Sequence, residues 1–293
     1  MKCNLCPRKC NIDRSAYQGY CRSGDTLKVS RAALHMWEEP CISGRRGSGT
    51  VFFSGCNLSC VYCQNKEISQ ELRGKKISVE RLAEIFLELQ ASGAHNVNLV
   101  TPTHYVDQIC KSLDISRKSG LSIPIVYNCG GYESVDTLKK LKDYIDVYMP
   151  DFKYFDDNLA MRYSNAHDYC NIAKEAISEM FSQVGPAKFD ADGMMLRGMI
   201  VRHMILPGSS RDSMKIIKYL HDTYENDIFI SIMSQYTPMR YFDDFPELNR
   251  RIYTKEYNRV LDYAEELGIE NAFVQEGKAS VKSFIPKFDN TGV

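Results

Sequence analysis

The chain has 293 residues, 44% of them apolar and 25% charged, with 37 basic residues against 37 acidic ones. That length holds one large domain or two ordinary ones, and the composition is that of a globular protein in water. The even charge excludes a general attraction to nucleic acid or to an anionic membrane. No apolar run nears the roughly 18 residues of a membrane span, and the start, Met1-Lys2-Cys3-Asn4, has no signal-peptide core, so the expected compartment is the cytoplasm. In that setting the 11 cysteines read as metal ligands and free thiols, not disulfides.

Residues 1–45 form a cysteine-rich segment with little periodicity. Cys3, Cys6, Cys10 and Cys21 are spaced x2, x3 and x10, and Cys41 follows later. Four thiolates suit a tetrahedral zinc site or a second iron–sulfur cluster, and a segment this poor in large apolar residues needs such a staple to order itself. The plainer reading is unligated thiols on a segment ordered by packing.

From residue 46 to residue 293 the expectation is one barrel-type domain with a C-terminal tail. A short β-type run, Thr50 to Phe53, leads through Gly55 into Cys56-x3-Cys60-x2-Cys63, with Tyr62 just before the last cysteine. Three thiolates on one loop ligate three irons of a [4Fe–4S] cubane and leave the fourth iron open, the mark of a catalytic metal site. Zinc would call for a second C-x2-C pair or a His pair nearby, and none follows closely.

Beyond this loop, apolar strands alternate with amphipathic helices. Val79, Leu82, Ala83, Phe86 and Leu89 predict a helix with Ser78 as N-cap. Strands are predicted at Asn96–Val100, Ile123–Tyr127, Ile145–Met149, Met199–Leu206 and Asp227–Met233, with a short one at Ala272–Gln275. Helical spacing recurs at Val106–Leu113, Val135–Leu141, Ala173–Val184, Met214–Leu220 and Tyr257–Leu267. Strands apolar on both faces imply a parallel sheet wrapped by helices. Six such units favour an α/β fold of the partial (β/α)6 TIM-type barrel kind, and no G-x-G-x-x-G turn supports a dinucleotide fold.

In such a barrel the site lies at the C-terminal strand ends. Those ends carry Thr101-Pro102-Thr103-His104, Asn128-Cys129, Asp151 with Lys153, Arg202 before Pro207-Gly208, and Tyr236. The bland alternatives are helix capping for His104, ordinary rim charges for Lys153 and Arg202, and core packing for Cys110 and Cys170.

The cysteine loop, the Asp-x-Lys at residues 151–153 and the Val-Arg-x4-Pro-Gly at 201–208 together resemble the radical S-adenosylmethionine (radical SAM) enzymes. Within them the chain is similar to the pyruvate formate-lyase activating enzymes, in the branch with a cysteine-rich N-terminal extension. The resemblance covers residues 47–240. It implies a [4Fe–4S] cluster on Cys56, Cys60 and Cys63, and S-adenosyl-L-methionine (AdoMet) held by Asn128, Lys153 and Arg202. It further implies reductive cleavage of AdoMet to a 5′-deoxyadenosyl radical, a low-potential flavodoxin- or ferredoxin-type electron donor, and a glycyl-radical protein as substrate. Two departures stand out. Thr101 and Thr103 occupy the place of the Gly-Gly-Glu that holds the AdoMet amino group, and Tyr236 stands in a Ser-Gln-Tyr where activases have Pro-Tyr-His. A second reading replaces the protein substrate with a small molecule or peptide. A third, from another class, is a non-enzymatic iron–sulfur electron carrier or a zinc-stabilised interaction protein; the barrel-sized scaffold and the polar strand ends speak against it.

Overall fold

Seven strands rich in Val, Ile, Leu and Met run parallel, and the helices between them cover one face of the sheet. The computed structural model describes residues 2–275 and 285–293. Its elements are β1 (Lys28–His35), α1 (Pro40–Ser43), β2 (Ser48–Phe53), α2 (Lys66–Ser69), β3 (Lys75–Lys76), α3 (Val79–Ala91), β4 (Val97–Val100), α4 (Val106–Lys118) and β5 (Ile125–Cys129). These are followed by α5 (Val135–Lys140), β6 (Val147–Pro150), α6 (Asp157–Ser164), α7 (Tyr169–Val184), β7 (Lys188–Phe189), β8 (Met195–Met204), α8 (Ser210–Tyr224), β9 (Phe229–Met233), α9 (Thr254–Glu266) and β10 (Ala272–Val274).

The parallel strands stand in the order β2-β4-β5-β6-β8-β9-β10, so each follows its predecessor around the sheet. Sequential order is what successive right-handed βα units produce, and it curves the sheet toward a barrel. Among the described residues the sheet does not close. This is an α/β fold of the partial TIM-barrel type. β1 pairs antiparallel with β2 and extends that edge, a strand the sequence reading did not separate from the cysteine-rich segment. The sheet therefore takes in residues on both sides of position 46. Residues 276–284 of the expected tail lie outside the described residues.

The outer face of the sheet packs on the helices. Leu82, Phe86 and Leu89 of α3, for instance, are buried in the main core with Val97 and Leu99 of β4. Ser78 caps α3 by accepting from the Arg81 amide at 3.1 Å. The inner face holds a second, smaller core in which Val126, Val147, Met149 and Ile200 meet Cys41 and Ile42 of α1. α1 is thus a plug at the N-terminal end of the barrel. Each such side chain contributes about 1.5–3 kcal/mol of burial. The plug also sets Glu38 and Glu39, just ahead of Pro40, inside the barrel. Among the described residues, no helix is long and apolar enough to cross a membrane.

Candidate active site

Register brings the polar strand-end residues together. Asn128 of β5 lies beside Met149 of β6, and β6 runs on so that Asp151 bridges to Arg202 of β8. The Phe152 amide donates to the Arg202 carbonyl at 2.8 Å, which fixes that register. Because side chains alternate along a strand, Asn128, Asp151 and Arg202 all face inward.

Their groups form one network. Lys153 Nζ donates to Asp151 Oδ2 at 2.5 Å, and Arg202 Nε donates to Asp151 Oδ1 at 3.0 Å. The Arg202 guanidinium also reaches Asn128 Oδ1 at 2.6 Å and Glu38 Oε2 at 3.2 Å, while Asn98 Nδ2 reaches Glu38 Oε1 at 3.2 Å. Burial pushes the Asp151 carboxyl up, but Arg202 and Lys153 outweigh it and hold it below its ordinary range. Burial raises the Glu38 carboxyl against the pull of Arg202. The turn that supports the network is tight. A Cβ on Gly131, whose φ is +76°, would sit 2.1 Å from the Asp151 carbonyl oxygen.

Cys56, Cys60 and Cys63 lie on the loop between β2 and α2. A cavity of about 230 Å³ is walled by Cys60 and Cys63 on one side and by Asp151, Lys153 and Arg202 on the other. A second cavity, of about 150 Å³, adjoins it through Gln64, Asn65 and Arg202 and has Glu38 and Asn128 in its wall. The three thiols fit a cluster by their donor chemistry. Burial raises the Cys56 and Cys60 thiols; the Cys60 and Cys63 sulfurs raise Cys56 further and the Cys63 sulfur raises Cys60, while Lys153 pulls both down. Bare thiolates crowded on one buried loop are unfavourable unless iron neutralises them. Among the described residues, no three His, Cys, Asp or Glu side chains gather at the spacing of a single metal ion; a cubane spreads its thiolates over different irons.

The expected AdoMet contacts divide. Asn128, Lys153 and Arg202 line the cavities. Thr101 and Thr103 line neither cavity. Thr103 starts a 3-10 turn, Thr103–Tyr105, that carries its hydroxyl away to Glu133 Oε1 at 2.7 Å. Thr101 has φ +59°, a costly conformation for a β-branched residue, and its amide donates to the Asn128 carbonyl. His104 lies beneath the cysteine loop, its Nε2 2.8 Å from the Ser54 carbonyl. Tyr236 is buried, donating to the Leu248 carbonyl at 2.7 Å and packing edge-on against Tyr62.

The sequence reading missed Glu38 and Glu133. Glu133 is buried, accepts from Thr103 and from the Tyr127 hydroxyl, and is raised to about 7 by burial.

A three-cysteine loop opening the first unit of a parallel partial barrel, facing a lysine and an arginine from later strand ends, has a match among known families. The model of the Radical SAM superfamily aligns with residues 50–234. The chain belongs to the radical SAM superfamily. This membership brings a [4Fe–4S] cluster and AdoMet as cofactors and makes the protein an AdoMet-cleaving enzyme. The uncharacterized protein MJ0674 of Methanocaldococcus jannaschii is 28% identical over 280 residues, which is 92% of this chain and 75% of that protein. A 7-carboxy-7-deazaguanine synthase of Methanothermobacter thermautotrophicus is 29% identical over 111 residues, 37% of this chain and 44% of its own. In fold, this radical SAM protein is similar to SuiB of Streptococcus suis bound to the precursor peptide SuiA, with a TM-score of 0.51 and 13% identity over 75% of this chain and 46% of SuiB. It is also similar to HydG, a maturase of the [FeFe]-hydrogenase, with a TM-score of 0.50 and 14% identity over 75% of this chain and 48% of HydG. It spans about half the length of both.

Proposed function

We propose that this radical SAM enzyme acts in the cytoplasm on a glycine of a partner protein, in the manner of a glycyl-radical activase, with electrons from a flavodoxin- or ferredoxin-type donor. The observation that carries the chemistry to this place is the single cavity in which Cys60 and Cys63 face Lys153, Asp151 and Arg202. When bound, the reduced cluster and AdoMet supply a 5′-deoxyadenosyl radical that takes a hydrogen atom from the substrate. The chain's own residues hold and orient. Cys56, Cys60 and Cys63 would carry three irons, and Asn128, Lys153 and Arg202 would present polar groups to AdoMet. Asp151 keeps both cations in place, and Tyr62, Met204 and Met233 give the cavity a wall that limits water. Zinc or a second cluster would occupy the N-terminal thiols.

A small molecule or peptide is the second reading, favoured by the adjoining cavity, whose 150 Å³ and Glu38–Arg202 pair suit a compact polar group; SuiB, similar in fold, was solved with a precursor peptide. Anaerobically reconstituted protein given AdoMet and dithionite should release 5′-deoxyadenosine, and a candidate glycyl-radical protein should then show an organic radical signal. No 5′-deoxyadenosine from iron-replete protein would remove both readings. Release without a radical on any protein partner would leave the small-molecule or peptide one.

A further inference from the structure

The N-terminal segment has almost nothing apolar to hold it. Of residues 2–26, the buried ones are Cys6, Arg14, Cys21 and Ser23. The four cysteines nevertheless sit on two defined turns. Cys3, Cys6 and Cys10 lie on a hairpin closed by Cys3 N to Ile12 O at 2.8 Å, Asn11 N to Cys3 O at 2.9 Å and Lys9 N to Cys6 O at 3.0 Å. Cys21 lies on a second turn, closed by Arg22 N to Gly19 O at 2.8 Å. Gly19 joins them. A Cβ there would stand 3.4 Å from Cys10 Sγ and 3.6 Å from Cys21 Sγ, so both sulfurs crowd one backbone position that carries no side chain. The Tyr20 amide donates to Cys10 Sγ at 3.2 Å. Lys9, Asn11 and Arg22 all have positive φ, a cost that weak local packing does not offset.

The same segment supports the cluster loop from below, between its cysteines. Arg8 Nε donates to the Asn57 carbonyl at 2.8 Å, with its guanidinium 3.7 Å from the centre of the Tyr20 ring. Arg22 reaches Ser59 Oγ at 3.4 Å, and Ser23 Oγ donates to the Ser54 carbonyl at 3.3 Å. Gly55, at φ +96°, comes so close that a Cβ would lie 2.7 Å from the Cys21 carbonyl oxygen.

We infer that Cys3, Cys6, Cys10 and Cys21 hold one thiophilic metal centre, and that this centre clamps residues 54–59 so that the loop can take up its own cluster. Among the described residues these sulfurs do not gather at single-ion spacing, so zinc would have to draw the two turns together, whereas a cubane spreads its thiolates over separate irons; the ligand chemistry is the same four thiolates. The clamp half of the inference rests on Cys56, Cys60 and Cys63 being the cluster ligands; the metal half does not.

The test reads metal, not turnover. Full-length protein carrying Cys56→Ala, Cys60→Ala and Cys63→Ala, purified anaerobically, should retain stoichiometric zinc or iron, and adding Cys6→Ser and Cys21→Ser should remove it. Retained zinc identifies a tetrahedral ion, and retained iron with sulfide a second cluster. A triple variant without either metal overturns the centre. For the clamp, Arg8→Ala and Arg22→Ala together leave every thiol in place. This variant should keep the N-terminal metal while losing about tenfold in affinity for the loop cluster, followed by iron titration and the cluster's visible absorbance. Unchanged cluster uptake overturns the clamp while leaving the radical SAM reading intact.

Discussion

Ser164 Oγ stands 3.0 Å from Cys60 Sγ and donates to it. Its single hydrogen is committed there, so the 2.6 Å contact with Tyr154 must be filled by the tyrosine's hydrogen, and the 2.6 Å contact of Tyr154 with Tyr62 by that of Tyr62. A chain of donors therefore runs from Tyr62 through Tyr154 and Ser164 into one expected cluster ligand. Hydrogen bonds to a ligating sulfur stabilise the reduced, more negative cluster and raise its potential. Ser164→Ala should make the potential more negative and weaken cluster binding by about tenfold. Potentiometric titration followed by paramagnetic resonance checks this; an unchanged or more positive potential would show that the hydroxyl does not tune the cluster.

Gly131 stands behind the Lys153–Asp151–Arg202 network. Its positive φ and the 2.1 Å approach of a would-be Cβ to the Asp151 carbonyl leave an alanine no low-energy place. Gly131→Ala should destabilise the fold by about 1–3 kcal/mol and, by moving Asp151, weaken AdoMet binding as well. Gly93→Ala, where nothing lies within 4 Å, carries a similar backbone cost without touching the site. Equal AdoMet affinity in the two variants would uncouple Gly131 from the network.

Glu133 and two histidines oppose one another in pH. Burial raises Glu133 from 4.5 to about 7, so the folded chain binds the extra proton. Its stabilisation is full below pH 4.5 and is lost as pH rises through about 7, a change of roughly 3 kcal/mol. Burial lowers His104 and His203 from 6.5 to about 4; their stabilisation is full above pH 6.5 and is lost as pH falls toward 4. Glu133→Gln keeps an acceptor for Thr103 and removes the acid's titration alone. Denaturant unfolding from about pH 5 to about pH 8 should show the variant gaining on the native chain by roughly 3 kcal/mol as pH rises. A constant difference would mean that Glu133 does not titrate in that window.

The parallel strands were legible because a strand covered on both faces is a continuous apolar run, as in Met199–Leu206 and Ile145–Met149. The placement of Asn128, Lys153 and Arg202 on two adjoining cavities followed from their positions at strand ends. β1 was not legible. Its Lys-Val-Ser-Arg-Ala-Ala-Leu-His sequence mixes polar and apolar residues next to a cysteine-rich stretch, and its identity depends on pairing with β2. Glu38 was invisible for a similar reason. It reaches Arg202 only because Cys41 and Ile42 plug the barrel from the far end, a long-range contact that no local pattern encodes. The turn of Thr103 toward Glu133 was not legible, because a strand end gives no sign of which way a following 3-10 turn will carry a hydroxyl. Glu133 lay in plain view in Gly130-Gly131-Tyr132-Glu133, but its role depends on Thr103 and Tyr127 arriving from other strands.

Arg202 holds acceptors from three directions: Asp151 just past β6, Asn128 on β5 and Glu38 above the plug. A guanidinium can serve all three because its donors fan out in one plane, whereas an ammonium is a point charge on a flexible stem. Arg202→Lys should therefore keep most of the charge balance with Asp151 and lose the orientation of Asn128 and Glu38. Losing one or two hydrogen bonds to charged partners is worth about 1.5–3 kcal/mol, so AdoMet affinity should fall roughly 10- to 100-fold by calorimetry. Arg202→Met goes further, leaving Glu38 without its cation and Asp151 with Lys153 alone, and should cost about 3–5 kcal/mol of stability. The two variants separate orientation from charge. If the lysine form binds AdoMet as the native chain does, the fork of Arg202 serves the barrel's packing and not its cofactor.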